Sequence, residues 1–316
     1  MAVAQARTQR VAGRASVAKA RAYLARSWPL YAMLVPGLAI LALFQYYPMY
    51  GIIIAFQNYN PGLGFIKSPW VGLKNFQYIL TNPDFYSILR NSFIISATKI
   101  VTIQISAVAL ALLLNEVRMM WFKRTLQTIV YLPHFLSWIV LGGILLDMLS
   151  SNGIISRAFM ALGIESPMFL GSNIWFVPML VVTNIWQGVG WSTIIYLAAL
   201  TSVDPQLHEA AAIDGASRWQ RVRHVTLPGI ASTIVLLACL NLGNVLQAGF
   251  DQVFMLYNPA VYATGDILDT YVYRVGLISA QYSVAGAIGL FKSVMGFALI
   301  AVAYYLADRF AGYRIF

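Results

Sequence analysis

Residues 204–228 have the sequence DPQLHEAAAIDGASRWQRVRHVTLP. This polar segment connects two long apolar runs, at about residues 174–200 and 230–250. Runs of similar length recur along the chain, so the segment is one of a few polar connections in a mostly apolar protein. Its own residues predict a compact folded unit rather than a simple connector.

Helix-boundary residues divide this segment into two short helices. Asp204 is a suitable capping residue, and Pro205 follows it at the first helical position, where proline is well tolerated. Gly215 is expected to end the first helix, because glycine adopts the left-handed conformation at low cost. Ser217 then caps a second helix, which Pro228 closes. The pattern predicts a helix–turn–helix between the two apolar runs.

The composition of the whole chain excludes most classes of protein. Of its 316 residues, 59% are hydrophobic and 10% are charged, and the mean hydropathy is +0.70. A soluble domain has about 25% charged residues and about 45–50% apolar ones. The chain therefore cannot cover itself with a polar surface. A soluble enzyme, a disordered regulator and a secreted disulfide scaffold are excluded, which leaves a polytopic membrane protein.

Long apolar runs define the expected membrane spans. A helix needs about 20 apolar residues to cross a bilayer, and an open sheet cannot span one. We therefore predict an all-α membrane protein with six transmembrane helices. Their approximate bounds are 30–56, 88–114, 126–148, 174–200, 230–250 and 284–307.

Basic residues mark one side of this predicted membrane domain. With the N-terminus inside, the inner segments are 1–29, 115–125, 201–229 and 308–316. The outer segments are then 57–87, 149–173 and 251–283. The inner segments hold fourteen of the 21 Lys and Arg residues, and the outer segments hold four. Because Lys and Arg are enriched on the cytoplasmic side of membrane proteins, we expect both termini to be cytoplasmic.

The expected organisation follows from this orientation. A basic cytoplasmic tail, 1–29, precedes a membrane domain, 30–307, and a short cytoplasmic tail, 308–316, ends the chain. The net charge of +10 is accounted for as an orientation signal and a rim that faces lipid headgroups, without a nucleic-acid partner.

Several spaced residues of the polar segment resemble a known motif. Glu209-Ala210-Ala211, then Gly215, Val225 and Leu227-Pro228 are similar to the EAA loop of binding-protein-dependent ABC importer permeases. The one departure is conservative, because Val225 stands where that family often has isoleucine. The likeness is greatest to the carbohydrate-type permeases of the LplB-like branch, and it covers nearly the whole chain from about residue 28. Other stretches that share it are Tyr46–Gly51, Trp70–Phe76, Tyr131–His134, Ile185–Trp191, Asn258–Pro259, Asp269–Arg274 and Gly289–Lys292.

The resemblance implies a fold, a set of partners and a function. It implies the type I ABC importer permease fold in a bacterial cytoplasmic membrane. A second, homologous permease would complete the pathway, two ATPase subunits would bind beneath, and an extracytoplasmic solute-binding protein would deliver an oligosaccharide. ATP and magnesium would be bound by the partner ATPase, so the chain itself is expected to be no enzyme and to hold no cofactor.

The polar segment is the expected contact with the ATPase. By position, the resemblance assigns coupling to Glu209 and Gly215. Charged groups at its rim could form charge-assisted hydrogen bonds with a partner. An amphipathic loop lying on lipid headgroups is the alternative interpretation. The complete predicted coupling set is Glu209, Ala210, Ala211, Asp214, Gly215, Arg218 and Arg221.

Other chemistry finds little support in the sequence. The phosphate-binding pattern G-x-x-x-x-G-K-[ST] is absent, and the stretch Gly286–Ser293 has the wrong spacing. The single cysteine, Cys239, and three scattered histidines have no metal-ligand spacing, so we expect no metal and no catalytic residue.

Polar residues at membrane depth are costly and are therefore candidates for the substrate pathway. In the fifth run, Asn241, Asn244 and Gln247 recur every three residues. Their amides offer donors and acceptors to sugar hydroxyls, and aromatic rings offer stacking surfaces. Hydrogen bonding between helices is the alternative role of such amides. The candidate pathway set is Asn241, Asn244, Gln247, Asp251, Trp191 and Lys292.

Three charged residues lie in or near the predicted spans: Lys99, Asp147 and Lys292. Salt bridges or snorkelling to the interface explain them most simply. If Lys99 or Lys292 faced the pathway, an acidic oligosaccharide would become an attractive substrate. The polar outer segments 57–87 and 251–283 are expected to contact the solute-binding protein or to cap the helix ends.

Two other classes of function compete with the importer permease. An ion-coupled secondary transporter usually contains inverted repeats with broken helices, and no such repeat is visible in the sequence. An intramembrane enzyme would need paired carboxylates, a Ser/Lys pair or a metal cluster in its spans, and none is found there.

Overall fold

The computed structural model describes residues 26–311 and the side chains of residues 26–305. This range contains helices and no strand, with one isolated antiparallel bridge between Gln57 and Trp70. The all-α prediction is therefore confirmed. Most of the predicted tail 1–29 and the last residues of the tail 308–316 lie outside the described range.

The helices follow one another with short connections. Their bounds are α1 Arg26–Phe56, α2 Lys74–Thr81, α3 Pro83–Glu116, α4 Met120–Tyr131, α5 Trp138–Leu149, α6 Ile154–Ala161, α7 Phe176–Leu200, α8 Pro205–Ile213, α9 Arg218–Gly229, α10 Ala231–Leu242, α11 Phe250–Leu256, α12 Leu268–Tyr273 and α13 Tyr282–Ala311. Shorter helical turns cover Gly64–Lys67, Leu132–Phe135, Pro259–Val261, Tyr262–Gly265 and Arg274–Ile278.

The chain divides into two compact units, 1–53 and 54–316. The described part of the first unit, residues 26–53, belongs to α1 and has no buried side chain. Exposed apolar residues such as Met33 and Phe44 cover its surface. Such a surface suits a hydrocarbon environment.

Four helical stretches are long and apolar enough to cross a membrane. They are Arg26–Phe56, Pro83–Glu116, Trp138–Ala161 and Tyr282–Tyr305. A bent pair, Arg218–Gly229 with Ala231–Leu242, makes a fifth if it is counted as one span. Helix α7 has 25 uncharged residues, which extend about 37 Å, but polar residues lower its hydropathy. The predicted number of six spans stays a prediction.

Two of the six predicted spans are broken in the structure. The run 126–148 is interrupted at a 3₁₀ turn, Leu132–Phe135, whose second residue is the proline at position 133. The run 230–250 contains only the 12-residue helix α10, which covers about 18 Å of a bilayer core about 30 Å thick. Both runs were predicted as single helices because they are apolar throughout. An apolar composition does not show where the backbone hydrogen bonds of a helix are interrupted.

Close packing of α3 against α7 forms the centre of the second unit. Glycines on α7 permit this approach, because a Cβ at Gly188 would collide with Ile103 of α3. A Cβ at Gly190 would collide with the carbonyl group of Val130 at the end of α4. Small residues at helix contacts let backbones come together in this way in membrane proteins.

Candidate functional site

The helix–turn–helix predicted for residues 204–228 is present. Asp204 caps α8, since its Oδ1 accepts a hydrogen bond of 2.9 Å from the backbone N–H of Gln206. Gly215 follows α8 with φ of +80°, the left-handed conformation predicted for it. Ser217 and Gln220 form a reciprocal capping box at the start of α9.

This inner loop is held by local hydrogen bonds and presents its side chains outward. Neither α8 nor the first turn of α9 has a buried side chain. Ile213 at the turn is 86% exposed and Trp219 is 70% exposed. Within the described residues, Glu209 and Asp214 take part in no ion pair. The loop therefore offers a mixed apolar and charged surface with free hydrogen-bonding capacity.

All seven predicted coupling residues lie on or beside this surface. Those fully exposed are Glu209, Ala210, Asp214, Gly215 and Arg218. Ala211 and Arg221 are half-buried, and the Nε of Arg221 is buried with no hydrogen-bond partner in the described chain.

The inner loop continues directly into the broken fifth span. Helix α9 and helix α10 meet at an angle of 58°, with Ile230 buried at the bend. Only Ile230 separates the two helices.

Beyond α10, residues 243–249 form successive turns instead of a helix. The N–H of Asn244 bonds to the carbonyl of Asn241, and the N–H of Gln247 bonds to the carbonyl of Asn244. Gly249 then adopts φ of +85° before α11 begins. Irregular backbone at membrane depth is tolerated only where protein buries it or where it lines an aqueous cavity.

The predicted pathway amides lie at this break. Asn244, Gln247 and Asp251 are exposed, and Asn241 is half-buried. Within residues 26–305, none of these four side chains has a hydrogen-bond partner in this chain. Within the described chain these amides therefore do not bond one helix to another, and hydrogen bonding to the second permease stays a prediction.

The structure places Trp191 beside a different break. Its ring stacks on His134 with centroids 4.8 Å apart and an interplanar angle of 6°. Phe135 adds an edge contact, and the Gln187 amide donates to the carbonyl of His134 at 3.4 Å. Trp191 therefore lies against the broken third span, half exposed, and His134 joins the site without having been predicted.

The two buried or half-buried lysines have different environments. Lys292 forms an ion pair of 2.5 Å with Asp269, in agreement with the salt-bridge interpretation. Lys99 is only 6% exposed, and within the described chain it pairs with no carboxylate. Neither a salt bridge nor snorkelling describes Lys99, so that expectation was wrong.

Lys99 instead bonds to the broken fifth span. Its Nζ donates to the carbonyl of Ala248 at 2.7 Å and to Oε1 of Gln252 at 2.5 Å. Gln252 donates in turn to the carbonyl of Leu180 and to Oγ1 of Thr183. Gln252 and Thr183 were not predicted as part of the site, because no local sequence pattern indicates partners so distant along the chain.

The outer segment contains a second charged cluster. Arg274 makes two hydrogen bonds to the carboxylate of Asp266, at 3.2 and 2.5 Å, and lies over the ring of Tyr262. Thr270 donates to the same carboxylate. Burial lowers the pKa of Arg274, but the hydrogen bonds and charge of Asp266 outweigh burial and raise the pKa above its ordinary value. The pair anchors this segment.

Comparison with known proteins identifies the family. Residues 104–312 match the family described as "Binding-protein-dependent transport system inner membrane component". The chain belongs to this family.

Relatives of this inner-membrane component cover nearly the whole chain. Protein LplB of Bacillus subtilis (strain 168) is 44% identical over 290 residues, which cover 92% of this chain and 91% of LplB. The polygalacturonan/rhamnogalacturonan transport system permease protein YteP of the same organism is 44% identical over 282 residues, covering 89% of this chain and 88% of YteP.

A solved structure extends the similarity to the fold. A chain of a bacterial ABC transporter involved in the import of the acidic polysaccharide alginate superposes with a TM-score of 0.84 and 36% identity. The match covers 91% of this chain and 97% of that chain. These similarities confirm the predicted resemblance to carbohydrate-type ABC importer permeases.

Proposed function

We propose that this chain is one permease subunit of an ATP-driven importer that carries oligosaccharides into a bacterial cell. The similarity to the alginate importer along 91% of the chain, with a TM-score of 0.84, is the observation that carries the proposal. A second permease would form the other half of the pathway, and a solute-binding protein would deliver the sugar. An ion-coupled mechanism has no support from this family.

The inner loop is the proposed ATPase contact. Its exposed apolar residues and its unpaired charges support docking into a partner surface, because such groups gain partners only on binding. ATP and magnesium belong to the partner, and this chain transmits the motion. The loop and both termini then lie on the cytoplasmic side, as the distribution of Lys and Arg favours.

The proposed pathway runs beside the two broken spans. The exposed side chains of Asn244, Gln247 and Asp251 supply hydrogen-bonding groups, and half-exposed Trp191 supplies a stacking surface. Because Lys292 is held by Asp269, we assign it a supporting role beside the pathway. The outer segments 57–87 and 251–283 are the proposed contact with the solute-binding protein.

Oligosaccharides are the proposed substrate class. The names of YteP and of the alginate importer support saccharides, and the alginate importer carries an acidic one. A ligand screen of the partner binding protein with neutral and uronate oligosaccharides identifies the sugar.

The variant Glu209→Lys tests the proposed function at the inner loop. We expect it to insert into the membrane normally and to lose copurification with the ATPase, because it reverses a charge on the docking surface. Glu165→Lys is the matched control, since Glu165 is also exposed but lies in the outer segment 149–173. Normal assembly and uptake by Glu209→Lys would show that the loop has been wrongly assigned.

A further inference from the structure

The two helical parts of the fifth span differ in how deeply their side chains are buried. Helix α10 has no fully buried side chain, although it packs along α13 and its residues Ile234 and Leu237 lie against a core cluster. Helix α11 buries Gln252, Val253 and Leu256, and Val253 and Leu256 belong to a core cluster that also contains Leu180 of α7. Residues 243–249 separate a helix with half-buried side chains from one with fully buried side chains.

Lys99 reaches the outer part, at α11, from the middle of α3. It bonds at Ala248, the last turn of the irregular segment, and at Gln252, in the first turn of α11. The neighbouring residue Gly249 is in the left-handed conformation, and a Cβ there would lie 3.4 Å from the ammonium nitrogen. The positive φ therefore favours glycine at this position, whereas the space beside the lysine would admit a Cβ.

Gln252 extends the contact to a third helix. Both protons of its amide are used, one by the carbonyl of Leu180 and one by Oγ1 of Thr183, each at 2.8 Å. Its oxygen accepts from Lys99. The four groups therefore join α3, α7 and α11 in one hydrogen-bonded chain.

A carboxylate does not explain why a cation is buried here. The ion pairs within residues 26–305 are Arg274–Asp266 and Lys292–Asp269, and neither includes Lys99. A buried charge is costly unless its hydrogen bonds are made. The break in the fifth span leaves the carbonyl of Ala248 without a helical N–H partner. The ammonium group of Lys99 donates a hydrogen bond to this carbonyl instead.

The inner part of the span has fewer side-chain hydrogen bonds to its neighbours than the outer part. Among the described side chains, that of Gln104 alone hydrogen-bonds to α10, at the carbonyl of Ile234 and 2.9 Å. Helix α10 is continuous with the inner loop through the 58° bend. The exposed amides of Asn244 and Gln247 lie between α10 and α11.

We propose that Lys99 is a positioning residue that clamps the outer part of the fifth span, so that residues 243–247 form a hinge. The inner loop then moves α10 about this hinge, and the pathway amides change their exposure while α11 stays in place. This inference rests on the proposed function, because it assumes that the ATPase drives the inner loop.

Thiol labelling of the assembled complex tests the clamp. Val253→Cys is introduced with Cys239→Ser, and N-ethylmaleimide is the probe. Val253 is fully buried, so slow labelling is expected in the parent. Lys99→Met should label about tenfold faster or more, because losing hydrogen bonds to a charged group shifts an equilibrium by roughly that factor. Gln104→Leu, the matched control on the same helix, should label like the parent.

A second readout separates positioning from general stability. Asn244→Cys is labelled with and without vanadate-trapped ATP. In the parent the two rates should differ, and in Lys99→Met the difference should disappear while ATP hydrolysis continues. A variant that merely assembles poorly would lose hydrolysis in proportion to its yield.

Further variants keep the test decisive. Gln252→Leu breaks the same chain of hydrogen bonds. Position 253 should therefore be labelled no faster in the double variant with Lys99→Met than in either single variant. Lys99→Gln keeps an N–H donor, so its labelling rate at position 253 should lie between those of the parent and Lys99→Met. Equal protection of position 253 in all these variants overturns the clamp. Failure of the parent to bind an ATPase at all would instead contradict the proposed function.

Discussion

The inner loop, 204–228, and the outer segment, 251–283, both connect spans, but they are held in opposite ways. In the inner loop, side-chain hydrogen bonds join residues at most five positions apart. In the outer segment, Asn258 donates to the carbonyl of Leu170, and the N–H of Leu268 donates to Ser92 far along the chain. The inner loop is folded by its own residues, whereas the outer segment is folded by its neighbours.

The two regions also differ in whether their charged side chains form ion pairs within the chain. In the outer segment Asp266, Asp269 and Arg274 are paired within the chain, since both described ion pairs include at least one residue of this segment. The inner loop forms no ion pair within the described residues. A change in the outer segment should therefore reduce the stability of the subunit, while the same change in the inner loop should reduce binding to a partner.

Among variants that test this difference, Asp266→Asn is expected to have the largest effect on stability. The side chain of Asp266 is 4% exposed and pairs with Arg274. Removing its charge leaves the guanidinium without a counter-ion, which should lower the free energy of unfolding by about 3 kcal/mol. Thermal unfolding of the purified subunit in detergent measures this loss.

Asp214→Asn is the control for that prediction. Asp214 lies in the inner loop, is exposed and takes part in no ion pair of the described chain. We expect an unchanged melting temperature and weaker copurification of the ATPase. Equal loss of stability in the two variants would remove the distinction between the regions.

A smaller effect is expected from Gly215→Ala in the inner loop. A Cβ at this position meets no atom within 4 Å, but φ is +80°. The cost is therefore purely conformational, about 1–2 kcal/mol, and it falls on the turn between α8 and α9. The alanine variant relaxes out of this conformation in the free loop, and binding must restore it. Affinity for the ATPase, measured by titration of the purified subunits, should therefore fall about tenfold, since 1.4 kcal/mol corresponds to that factor.

Gly143→Ala is the same substitution, but we expect it to stabilise the local backbone conformation instead of destabilising it. Gly143 is inside α5, has no positive φ and also has open space at its Cβ. Alanine there should stabilise the helix by roughly 0.5–1 kcal/mol and leave ATPase binding unchanged. Weaker ATPase binding by this variant would contradict a local origin of the Gly215 effect.

Local chemistry explains which parts could be predicted from the sequence. Asp204, Gly215 and Ser217 act within three or four residues of their own position, so cap and turn rules predict the inner loop closely. The second helix runs to Gly229, one residue beyond the predicted end at Pro228. That error is within the usual uncertainty of helix ends.

Tertiary contacts explain what could not be predicted. The hydrogen bond from Lys99 to Gln252 joins residues 153 positions apart, and no sequence pattern near either residue predicts it. The break at 243–249 was equally hidden, because its apolar residues Val245, Leu246 and Ala248 continue the composition of α10 while packing as turns. Composition locates membrane depth but does not distinguish a helix from buried turns.

The smallest effect on stability is expected from Lys292→Ala. Lys292 and Asp269 are 21% and 28% exposed at their side chains, so water screens the pair and its loss should cost roughly 1 kcal/mol or less. Because Asp269 already satisfies the ammonium group, uptake of neutral and of uronate oligosaccharides should fall by the same factor. Asp269→Asn should reproduce that pattern, since it breaks the same pair from the other side. A selective loss of uronate uptake in Lys292→Ala alone would mean that the lysine leaves Asp269 to meet the substrate, and the outer segment would then resemble the inner loop in keeping a charge for a partner.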